Sequence, residues 1–147
     1  MRRDRGFSLI ELIFALGLSM VVLAAGYSAY FNVTRADDVA SRRERATISA
    51  HNAMSRIKED IRASRSAIAS GSTLSLSTAG GSITYRNLPD GSGIERRTSV
   101  SRGILKGATA SYTQSGRGVN VSVKARANMH RRAIRVDLNC FVTPRNR

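Results

Sequence analysis

The sequence has one cysteine, two prolines, no tryptophan and only 5% aromatic residues in 147 positions. A single cysteine, Cys140, cannot close an internal disulfide, so the fold must stand on its own burial or on neighbouring chains. The surrounding run IRVDLNCFV reads as a strand, which makes Cys140 a packed, inert thiol. Only two histidines occur, His51 and His130. Neither has a second Cys or His at ligand spacing, so no metal site is expected. Serines are abundant, but none is placed beside a base, and GSGIERR and GGSIT read as turns into strands, not phosphate loops opening a helix. No enzyme activity and no cofactor are expected. Acidic residues are also scarce: 10 Asp+Glu against 24 Lys+Arg leave a net charge of +14. The length suffices for one membrane helix and one small folded domain.

What is present begins with a long apolar run. From Phe7 to Phe31 the chain is interrupted only by Ser8, Glu11, Ser19 and Ser28, with no proline. Twenty-five residues at about 1.5 Å each cross a hydrocarbon core of about 30 Å. Small residues recur at Ala15, Gly17, Ala24, Ala25, Gly26 and Ala29, which favours close helix–helix approach. The basic leader MRRDRG should stay on the cytoplasmic side while the rest crosses outward. The run is too long for the apolar core of an ordinary cleaved signal. A plain membrane anchor fits poorly as well, because Glu11 is a carboxylate near the helix start, where lipid makes an unpaired charge costly.

The stretch RGFSLIEL strongly resembles the processing site of type IV pilins and type II secretion pseudopilins. The matching residues are Gly6, Phe7, Ser8, Leu9, Ile10, Glu11 and Leu12. The resemblance implies cleavage between Gly6 and Phe7 by a prepilin peptidase, N-methylation of the new terminus at Phe7, and filament assembly through Phe7, Glu11 and Leu12. Physically, the freed α-amino group of Phe7 is charged near neutral pH. Glu11 of an adjacent subunit can neutralise it in a low-dielectric bundle, so the pair acts as a register device. The uninterrupted helix and the missing C-terminal cysteine pair favour a minor pilin or pseudopilin over a major pilin. The partners implied are other pilins or pseudopilins, the peptidase and an inner-membrane assembly platform. The implied location is the inner membrane, single-pass, with the C-terminal domain periplasmic or extracellular and carried into a filament.

Helical periodicity continues past the membrane. Val33, Ala36, Ala40, Ala50, Met54, Ile57, Ile61 and Ile68 fall on alternating three- and four-residue steps, with Arg43, Thr47 and Ser64 filling the gaps. ASGSTLSLSTAGGS then ends the helix, and the period changes to two. Strands are expected at Thr73–Ser77, Ser82–Asn87, Gly93–Ser99, Ala108–Gln114, Val119–Arg126 and Ala133–Val142, with glycine-rich turns between them. Short connections make an antiparallel meander the default. The predicted class is α+β, a long N-terminal helix packed on a C-terminal antiparallel sheet. The expected segments are a leader (1–6), an assembly helix (7–31), an amphipathic helix (32–69) and a sheet domain (70–147).

Removing the leader's net +2 and the single negative charge of 7–31 leaves +13 on residues 32–147. Such a surface attracts anionic lipid, nucleic acid or an acidic protein. Arg96, Arg97, Arg131, Arg132 and Arg135 are the candidate contacts for an anionic partner, the alternative function being that of a DNA-binding minor pilin in an uptake filament. Against it, Tyr85 and Tyr112 are the only tyrosines beyond the anchor, so no interleaved stacking platform is in view, and solvated or intersubunit-paired arginines explain the same charge.

Overall fold

The computed structural model describes residues 8–128 and 133–145. Among the described residues one helix, α1 (Leu9–Ala63), is followed by eight strands: β1 (Ser66–Ser70), β2 (Thr73–Thr78), β3 (Gly81–Asn87), β4 (Gly93–Thr98), β5 (Arg102–Lys106), β6 (Ala108–Ser115), β7 (Gly118–Asn128) and β8 (Ala133–Val142). The chain divides into two units, Met1–Ala40 and Ser41–Arg147.

In the first unit every described residue is exposed. The helix forms there because no proline breaks it, and Ala and Leu are its commonest residues. Its most apolar 18-residue window has a mean hydropathy of 2.3, and none of that window is buried within the chain. A bare apolar helix of this length is unstable in water and needs lipid or other helices around it.

In the second unit the helix buries Ala46, Ala50, Ala53, Met54, Ile57 and Ile61 along one face. These residues join a single cluster with Leu74, Leu76, Tyr85, Ile94, Tyr112, Val119, Val121 and Val123 from the strands. The alanines allow close approach, while the isoleucines and Met54 supply the apolar volume. The helix ends at Ser64, whose hydroxyl and amide both donate to the Ile61 carbonyl, at 2.7 and 3.1 Å.

The α+β architecture and its antiparallel pairing agree with expectation, with two differences. There are two sheets, of order β1-β2-β3-β4-β5 and β6-β7-β8. The change of sheet happens at one residue, Gly107, between β5 and β6. Its φ of +77° is a conformation that a side chain opposes, and its amide donates to the Ser92 carbonyl at 2.8 Å. The sheets are stitched together by Asn87, which donates to the Ala110 carbonyl (2.7 Å) and accepts from its amide (2.9 Å). A bridge between Gly71 and Tyr112 adds to this. The second difference is that the helical stripe does not reach Ile68. Ile68 lies in β1 and is 70% exposed, while its neighbours Ala67 and Ala69 face inward. Strand β1 escaped the sequence reading because its one large apolar residue, Ile68, points outward, and β5 because its burial does not alternate: all but one of its residues are exposed.

Candidate functional site

The site begins with the first turn of α1. The Ser8 carbonyl accepts the first intrahelical bond, from the Leu12 amide at 3.2 Å. Ser8 is therefore the N-cap. The Glu11 side chain turns back, and its Oε2 accepts from the Ser8 amide at 3.3 Å. This is the acidic half of a capping box, in which the third helical residue satisfies an otherwise orphaned backbone donor. Ser-x-x-Glu before an apolar run is legible in the sequence, so this contact could have been found there. A carboxylate in the first turn also suits the positive end of the helix dipole. Within one chain, then, Glu11 has a backbone partner, and it stands exposed beside Leu12 at the start of the apolar run. Gly6 and Phe7, the residues of the expected cleavage, lie outside the described residues.

The expected anion-binding arginines separate. Arg96, in β4, is largely enclosed: its Nε donates to Asp60 Oδ2 at 2.7 Å, and its side chain is only 17% exposed. That carboxylate oxygen also accepts from the Tyr85 hydroxyl at 2.5 Å. Burial alone would raise the Asp60 carboxyl, but the bonds from Arg96 and Tyr85 and the charges of Arg96 and Arg56 outweigh it and hold the group below its ordinary value. Burial and the Asp60 contact push the Tyr85 hydroxyl up, so it stays protonated as a donor. Arg96 thus ties β4 to the helix across the core.

Arg97 is exposed on β4, opposite Arg102 in the β4–β5 register. Arg102 in turn pairs with Glu95 at 2.5 Å. Arg135 is exposed on β8, directly opposite Arg126 on β7. Like charges facing each other across a ladder repel, so this part of the sheet gains from a counter-anion. Arg131 and Arg132 lie outside the described residues. The structure therefore does not bring Arg96 together with Arg97 as surface cations, because a buried acid on the helix claims one of them. Asp60 was not singled out from the sequence: it sits among charged residues on the helix, and only packing reveals that it faces inward.

A family model for the prokaryotic N-terminal methylation motif matches residues 1–27. The match spans the leader, the Ser8–Glu11 cap and most of the apolar run. The chain fits a type IV pilin-like protein. No curated protein and no solved structure matches it. The pilin motif marks a family that is structural in character. Together with the apolar helix it indicates membrane anchoring, processing by a peptidase and assembly with other pilins. The capped turn opens the helix at Leu9.

Proposed function

We propose that the protein is a minor pilin or pseudopilin, a structural subunit of a type IV pilus or type II secretion filament. It is held in the inner membrane as a precursor, with its C-terminal domain outside, until it is cleaved between Gly6 and Phe7 and methylated on Phe7. It then enters a filament through its N-terminal helix. The observation that carries this reading is an apolar helix with no burial of its own, opened by one carboxylate under a prepilin-type motif. Glu11 then has two successive partners: the Ser8 amide in the free subunit, and the Phe7 ammonium of a neighbour in the filament. An ammonium is the stronger partner in a low-dielectric bundle, so the exchange favours assembly at one axial offset.

Two measurements test it. Intact mass of the protein from its native host should show loss of residues 1–6 and addition of one methyl group; a retained leader refutes the processing step. Glu11→Ala should leave the protein in the membrane but remove it from sheared filaments. Incorporation at the native level would show that Glu11 is not an assembly residue.

A further inference from the structure

Four arginines outside the expected anion-binding set meet near the C-terminal end of α1. Arg62 is in its last turn and Arg65 lies two residues beyond it. Arg117 is in the β6–β7 turn, and Arg145 follows Pro144 in the C-terminal tail. They line two adjoining grooves, of about 890 and about 590 Å3, which share Arg65, Thr143 and Pro144. All four are exposed, and among the described residues none of their side chains makes a hydrogen bond or ion pair. The one acid on the groove wall, Glu59, faces Arg56 at 3.5 Å. The helix dipole accounts for a cation at Arg62. It does not account for the other three, which come from separate segments and whose mutual repulsion lacks local relief.

We infer that this groove binds the phosphodiester backbone of duplex nucleic acid, by charge and without reading bases. Among the described residues no aromatic ring lines either groove, so a single strand finds no surface there on which to stack its bases. The apolar part of the wall is alanine and proline, with no pocket for the large side chain that would anchor a peptide. A second copy of the chain is a poor occupant: it holds 10 acids, of which Glu11, Glu59, Asp60, Asp90 and Glu95 are already bonded internally. A repeating phosphate polymer is what four forked, unpaired guanidiniums suit. Neither Arg97 nor Arg135 lines these grooves, and binding to a duplex can be measured apart from filament assembly.

The test uses the full chain in non-ionic detergent and a labelled mixed-sequence DNA duplex, with anisotropy measured across a salt series. Each phosphate neutralised contributes a slope of about −0.9 in log affinity against log salt, so full engagement of the groove gives about −3 to −4. Arg62→Ser combined with Arg117→Ser should weaken binding and cut the slope by about 2. Arg97→Ser combined with Arg135→Ser should reduce affinity and slope by less than the groove double variant does. If the groove double variant loses amide protection in β2–β4, Arg145→Ser, in the tail, decides instead, with an expected slope change of about 1. The inference is overturned by absence of duplex binding at low salt, by groove variants that bind like the native chain, or by loss confined to the Arg97 and Arg135 variant. It is also overturned if vesicles of phosphatidylglycerol bind in a groove-dependent way while the duplex does not.

Discussion

Two buried tyrosines set up a controlled comparison. Tyr85 and Tyr112 are both fully enclosed, at 0% and 1% exposure, and each belongs to the central cluster. The Tyr85 hydroxyl donates to the Asp60 carboxylate at 2.5 Å. The Tyr112 hydroxyl has no partner among the described residues, and burial alone raises it above the ordinary phenol value. Phenylalanine at either place removes one oxygen and leaves the ring, so the change in packing is nearly the same and the hydrogen bond is the difference. A bond to an ionised group is worth about 1.5–3 kcal/mol, and Tyr85→Phe also leaves Asp60 short of a donor. An unpaired buried hydroxyl costs about 1–3 kcal/mol, so Tyr112→Phe should be neutral or stabilising. At roughly 4–8 °C per kcal/mol for a domain of this size, the two variants should move in opposite directions or differ by several degrees at least. The measurement is thermal unfolding of the full chain in detergent, followed by amide exchange of β2–β4, so that the membrane helix does not dominate the signal. Equal destabilisation by both substitutions would refute the assignment of the Tyr85 hydroxyl as the working member of the pair.

The same cluster sets an acid limit. Because the folded Asp60 carboxyl lies below its ordinary value, the unfolded chain binds more protons between the two values, and the stability it provides is full above about pH 4 and drains as pH falls further. The stability gap between the native protein and Asp60→Asn should be constant from neutral pH down to about pH 5 and shrink below about pH 4, as read by denaturation midpoints; a gap that closes on raising the pH contradicts this. Two glycines should differ in tolerance. A Cβ at Gly93 would stand 2.7 Å from the Leu105 carbonyl oxygen of the neighbouring strand, so Gly93→Ala should cost about 1–3 kcal/mol. At Gly118 the obstacle is the Phe141 ring, a side chain 54% exposed and free to swing aside, so Gly118→Ala should cost about half as much or less by the same unfolding assay.

Much of the architecture was readable because it rests on local signals. The apolar run from Phe7 to Phe31, the later helical face through Met54, Ile57 and Ile61, and the period-two strands between glycine turns each declare themselves within ten or twenty residues. Glu11 was legible as out of place in an apolar helix, and the Ser8-x-x-Glu11 spacing also contained the cap. Ile68 misled because an outward-facing strand residue happened to fall on the helical step.

What the amino-acid order determined alone is the membrane-length helix, its charged start and the alternation that makes sheets, since each depends on neighbours in sequence. Only the tertiary structure decided that Gly107 divides the strands into two sheets, that Asp60 turns inward and takes Arg96 out of the surface charge, and that Arg62, Arg65, Arg117 and Arg145 line two adjoining grooves. Those outcomes depend on contacts between residues tens of positions apart. Charge and hydropathy along the chain carry no record of which distant side chain will be the partner.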